Sequence, residues 1–140
     1  PAPSPRDRDN LRIGEFLRTR TPHDAVIAEQ WAGTTLYVSE RRGVDLLGKV
    51  DRHVATRAPV YPGPAPGHNR WDLAWSLGTL RPDYVVAPVP VPVPSAYRAA
   101  LVRPALRFAR ALVEDEHFLR ACAPHPMPWP TQRTVLRCQW

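Results

Sequence analysis

The sequence predicts an α/β layered domain, a small sheet of short strands with crossover helices and proline-rich loops. Two observations lead there. A helical pattern followed by a short apolar run occurs at 10–29 and again at 69–87, the order that brings strands side by side through helical connections. The chain also has 140 residues, one domain's worth, and a domain of that size buries roughly 68–70% of its unfolded surface. The expected organisation is a linker or disordered segment over 1–9 and a single domain over 10–140. Pro1-Ala2-Pro3-Ser4-Pro5 has neither an initiator Met nor the plan of a signal peptide, so the chain reads as a piece of something larger.

The elements follow in order. Asn10 can cap a helix in which Leu11, Ile13, Phe16 and Leu17 recur at helical spacing, closing near Thr21-Pro22. Asp24 to Glu29 is a short apolar run after a proline and reads as a buried strand. Leu36-Tyr37-Val38 is a short extended or helical piece, and Val44 to Leu47 sets the acid Asp45 among apolar neighbours. Asp51 to Ala55 suits a helical turn with Asp51 at its start, and prolines at 59, 62, 64 and 66 impose an irregular loop. Asn69 to Leu80 reads as a helix capped by Asn69, with Leu73, Leu77 and Leu80 on one face, and Pro82 to Ala87 as a strand. The alternating Val-Pro run within 88–94 favours polyproline II, a stiff spacer. Ser95 to Leu119 is helical in two pieces, Pro104 opening the second, and Gln132 to Trp140 is a terminal strand.

Charge and composition narrow the class. The net charge is +6, yet Lys49 is the only lysine and the arginines are scattered rather than clustered, which disfavours a nucleic-acid partner. Up to Val60 there are ten basic and eight acidic residues, from Tyr61 to Val113 six and two, and beyond that three and three, so the excess sits in the middle. No apolar run approaches the roughly 20 residues of a membrane-spanning helix. Two cysteines, Cys122 and Cys138, are too few for a disulfide scaffold or zinc site; one bridge worth roughly 3 kcal/mol and two buried thiols both fit.

Motifs of a self-contained active site are missing: there is no phosphate loop, no dinucleotide fingerprint, no His-Glu-Xaa-Xaa-His and no Gly-Xaa-Ser-Xaa-Gly. The five histidines include no pair at i, i+3 or i, i+4, so no local metal site is expected. What stands out is a pair of polar, glycine-punctuated loops, 40–53 and 66–72. His68 can place its ring at a helix N-terminus or pack locally. Asp45 can meet sugar hydroxyls or pair with a neighbouring arginine, and Asp51 and His53 carry the same two readings. Among five tryptophans, Trp75 suits the core, Trp71 a site rim and Trp129 an exposed contact. Arg103, Arg107 and Arg110 fall on one helical stripe, either a solvated face or a contact for a membrane surface or lipid-linked phosphate.

Taken in order, Thr21 to Ala28, Ala32-Gly33, Leu36 to Ser39, Val44 to Ala55, Gly67 to Asp72 and Arg81 to Val86 resemble a known family. It is the extracytoplasmic C-terminal domain of polytopic glycosyltransferases that use polyprenyl-phosphate sugars, closest to the actinobacterial arabinofuranosyltransferases of the terminal β-(1→2) type. The likeness covers about half the chain. Arg70-Trp71 departs from the lysine common in that family, and the Val-Pro run is not one of its features. The resemblance implies a domain on the outer face of the cell membrane, joined to its own transmembrane bundle, with the polyprenyl-phosphate sugar as the parent's donor and no cofactor in this piece. It implies an arabinan-like cell-wall polysaccharide as acceptor and a catalytic acid in the membrane part, so no catalytic residue here. Asp45, Asp51, His53, His68, Asn69, Arg70, Trp71 and Asp72 are then the glycan-contacting candidates. The rival expectation is a stand-alone secreted carbohydrate-binding or protein-interaction module.

Overall fold

The computed structural model describes residue 2 and residues 4–62 and 67–140. The expected loop at 59–66 therefore lies partly outside the described residues. The α/β expectation is met. Strands β1 (Val26–Glu29), β2 (Arg42–Asp45), β3 (Tyr84–Ala87), β4 (Cys122–Pro124) and β5 (Thr134–Cys138) form one sheet in the order β2-β1-β3-β5-β4. The first three are parallel, with Ala28 beside Val44 on one side and Val85 on the other. β3 pairs antiparallel with β5, and β5 with β4. The Asp83 carboxylate, accepting from the Val26 N–H at 2.8 Å, ties the start of β1 to that of β3.

Successive strand residues point to opposite faces, and the core divides accordingly. Ile27, Tyr84, Val86 and Val135 meet Ile13, Phe16 and Leu17 of helix α1 (Pro5–Arg20) on one face. Ala28, Val44, Val85 and Leu136 meet Leu77, Phe108, Leu112 and Phe118 on the other. Right-handed crossovers account for this split. The β1-to-β2 connection runs through α2 (Thr34–Ser39), whose Leu36 lies with α1. The connection from β2 to β3 travels the opposite way across the sheet, so its helical part lands on the opposite face. α1 and α2 touch closely at Gly14, where a Cβ would stand 2.7 Å from that of Val38 and 2.9 Å from the Thr35 carbonyl oxygen.

Several sequence expectations are corrected. α1 starts at Pro5 rather than after Asn10, because Ser4 accepts from the Asp7 N–H while the Asp7 carboxylate accepts from Ser4, a reciprocal cap. Residues 5–9 are thus helical, and Asn10 is buried inside the helix. The 69–80 helix is shorter than expected, a π-helical turn at Ala74–Thr79. The Val-Pro run is no free spacer: Val89 is fully buried with Leu101, Ala109 and Val113, the Val91 N–H donates to Thr134 Oγ1 at 2.9 Å, and the Val91-Pro92 peptide is cis. The 95–119 region breaks further than two pieces, into α4 (Ser95–Arg98), 3₁₀ turns at Ala99–Val102 and Pro104–Leu106, α5 (Arg107–Glu114, after α3 at Arg52–Ala55) and α6 (Glu116–Ala121). Pro104 does open its turn, and Asp115 caps α6 by accepting from the Phe118 N–H. Cys122 and Cys138 face each other across β4 and β5 and are joined by a disulfide.

Candidate functional site

The two polar loops meet. Asp51 caps α3, its Oδ1 accepting from the Val54 N–H at 3.1 Å, while its Oδ2 accepts from the Trp75 indole N–H at 3.2 Å. His53, one residue into α3, stacks its imidazole on that indole with centroids 4.3 Å apart, and its Nε2 lies 3.0 Å from Asp72 Oδ2. Arg57 reaches the same oxygen at 3.2 Å, and Asp72 Oδ1 accepts from the Trp75 N–H at 3.0 Å, capping the π-helical turn. Trp71 packs edge-on against Phe108 at 5.6 Å and tilted against Tyr61 at 5.9 Å. Together His53, Thr56, Arg57, Val60 and Trp71 line an open cleft of about 550 Å³.

The electrostatics follow from these contacts. Burial by itself lifts the Asp72 carboxyl, but the hydrogen bond from His53, the Trp75 N–H and the Arg57 charge outweigh it and hold the group below its ordinary value. A carboxylate so engaged fixes the His53 ring and leaves Nδ1 as the second polar atom of the imidazole. Thr56 offers no nucleophile, because its hydroxyl donates to the Arg52 and His53 carbonyls at 3.0 and 3.2 Å. Among the described residues no group of His, Cys, Asp and Glu is arranged to hold a metal ion. The arrangement offers a flat aromatic wall, a cation and an oriented imidazole, a binding surface without a matched acid, base and nucleophile.

Other predicted residues fall elsewhere. Asp45 is buried and points back at its own chain, accepting from the Leu47 and Val50 N–H groups at 3.0 and 2.6 Å, so it shapes the loop and touches no cleft. Asn69 is buried too, its side-chain amide donating to the Tyr61 carbonyl at 3.3 Å; Asp72 does the capping expected of it. Arg70 braces the loops from behind, donating to the Arg57 carbonyl at 2.8 Å. His68 is exposed, and among the described residues only its carbonyl is engaged, by the Tyr61 hydroxyl at 3.2 Å. Trp75 is half-buried under His53 rather than in the core, and Trp129 is half-buried against Phe16 at 5.7 Å rather than freely exposed. The arginine stripe is broken because the Pro104–Leu106 turn separates Arg103 from α5. Arg107 instead covers the Tyr61 ring at 4.5 Å, and Arg110 pairs with Glu114 at 2.9 Å.

Arg57 was not singled out by the sequence, although it is one helical turn beyond His53, the spacing at which two side chains share a target. From residue 4 to residue 128 the chain matches a family described as a domain of unknown function, DUF8728. The chain belongs to the DUF8728 family. All the cleft residues lie within the DUF8728 match, as does every strand except β5. No curated protein and no solved structure matches the chain.

Proposed function

We propose that this DUF8728 domain is the extracytoplasmic part of a membrane-embedded glycosyltransferase of cell-wall polysaccharide assembly, and that the His53, Arg57 and Trp71 cleft holds part of the acceptor glycan. The observation that carries the reading is the convergence of the two loops, with Asp72 tying His53 and Arg57 together beside the Trp71 ring. Aromatic faces flanked by fixed hydrogen-bonding groups suit a sugar ring, whose C–H face is apolar and whose edge is polar. The Cys122 to Cys138 disulfide supports an oxidising compartment. The parent's donor is a polyprenyl-phosphate sugar bound by its transmembrane part. This domain works by positioning: contacts to remote residues of a long acceptor orient its reacting end.

The test is a titration of the 140-residue chain with arabinan and mannan oligosaccharides, followed by backbone and indole NMR shifts. Saturable shifts at His53, Arg57 and Trp71, weakened about tenfold in Trp71→Ala or His53→Ala, are expected. A folded chain that binds neither oligosaccharide sinks the acceptor assignment and leaves the domain a scaffold.

A further inference from the structure

The connections leaving β1 and β2 run in opposite directions across the sheet, so strand order reverses between β1 and β3. In open α/β sheets a crevice opens at such a point, outside the carboxyl ends of the strands, and ligands bind there. Here that place is occupied by a cavity of about 500 Å³, within the roughly 300–1,000 Å³ that suits small ligands. Its walls are Arg6 and Asp9 of α1, Trp31 after β1, Pro88 after β3, and Thr131 and Arg133 ahead of β5.

The chemistry of the walls is unusual for a structural seam. Arg133 is 7% exposed; it donates to Asn10 Oδ1 at 2.6 Å and to the fully buried Glu29 carboxylate at the end of β1. Among the described residues its Nε–H has no acceptor; Glu29 lies behind it, outside the cavity walls, with the Thr35 hydroxyl as a further neighbour of its carboxylate. Burial pushes the Glu29 carboxyl above its ordinary value, with Arg133 pulling against it. The guanidinium groups of Arg6 and Arg133 lie 5.3 and 5.1 Å from the centre of the Trp31 ring. A protein normally satisfies such buried atoms; a donor left over on Arg133, which lines the cavity, is what water or a ligand hydroxyl completes.

We propose that this crevice is a second binding site, for a neutral polyhydroxylated ring, a sugar residue. It shares no lining residue with the His53 cleft, and it stands whether or not that cleft binds an acceptor. Charge argues for a neutral ligand, since Arg133 is paired with Glu29, and the exposed Arg6 shares the wall with one carboxylate, Asp9, whose Oδ2 accepts from the Thr131 hydroxyl at 2.9 Å. A ligand hydroxyl is the match for the leftover Arg133 Nε–H, which needs an acceptor, and the same hydroxyl can donate to the Asp9 carboxylate that also lines the cavity, directly or through a bridging water. Pro88 adds apolar wall for the ring's C–H groups, and Trp31, held by the two guanidinium groups, lines the same cavity.

The experiment uses the 140-residue chain, uniformly ¹⁵N-labelled, titrated separately with methyl arabinofuranoside, methyl mannopyranoside and inorganic phosphate. Expected is a saturable shift of the Trp31 indole and the Thr131 amide with a neutral glycoside and none with phosphate. Arg6→Ala, at an exposed position that does not disturb the core, weakens that binding several-fold, and Trp31→Ala by about tenfold or more. Trp71→Ala leaves it unchanged. Shifts with phosphate alone, no saturable shift with either glycoside, or a response lost in Trp71→Ala but kept in Arg6→Ala overturn the proposal.

Discussion

Replacing Arg133 by Met removes the charged partner that Glu29 has among the described residues; the Glu29 side chain is fully buried at the end of β1. Breaking one half of a buried pair typically costs about 3–5 kcal/mol, because the remaining charge is left without compensation. With an unfolding entropy of roughly 2.1 cal/mol/K per residue, that loss lowers Tm by about 10–17 °C for a chain of this length. The sign of the pH dependence follows from Glu29, whose carboxyl burial already raises. A group raised in the folded state adds stability below its unfolded pKa and loses it as pH rises through the folded pKa. Without Arg133 the raise grows, so the deficit of Arg133→Met is smallest in acid and widens toward neutral pH. Urea unfolding of both proteins at pH 4.5 and 7.5 reads this directly. The double variant Glu29→Leu/Arg133→Met removes both charges and is expected to regain most of the loss, short by about 1 kcal/mol for the Asn10 hydrogen bond. A single variant within about 1 kcal/mol of the parent at neutral pH, or a deficit independent of pH, refutes the buried, uncompensated carboxylate.

Three further outcomes are expected. Gly48 has φ of +70° and a Cβ there would stand 2.6 Å from that of Val54, so Gly48→Ala loses about 2 kcal/mol or more in urea unfolding. Asp72 is held below its ordinary value, so its contribution is present above the unfolded pKa and fades as pH falls through the folded one; Asp72→Asn is less stable by about 1 kcal/mol at neutral pH, a gap that closes below about pH 4. Cys122→Ala/Cys138→Ala opens a loop with a sequence separation of 16 and lowers stability by about 3 kcal/mol, which the same denaturation curves measure.

β1, β3 and β5 were legible because their signal is local, whereas β2 read only as an apolar segment at Val44 to Leu47 and the three-residue β4 not at all. Val26 to Ala28 and Tyr84 to Ala87 are continuous apolar runs, the mark of strands covered on both faces. Asp51 as a cap was legible for the same reason. Asp45 was rightly suspected to need a partner, but that partner is the backbone of its own loop, which side-chain spacing does not reveal. Asn69 and Asp72 are both good caps by residue type, and only the Tyr61 carbonyl, which engages Asn69, decides between them. The start of α1 was missed because a proline-rich segment reads as linker, although Pro at the first helical turn after a serine is a start signal. Glu29 and Arg133 stand 104 residues apart, and no periodicity links them. The available hint was one carboxylate closing an otherwise apolar strand.

The two outer strands of the sheet bear on how copies of the chain meet in solution. An open strand edge is a template for pairing with another chain unless something blunts it. On one side β2 is four residues long and starts with the exposed Arg42. On the other, β4 is three residues long, ends in Pro124, which has no N–H to offer, and is pinned to its neighbour by the disulfide. Neither flank presents the long, flat, apolar ladder on which strand-by-strand aggregation grows, and reduction of the bridge is the change that frees one of them.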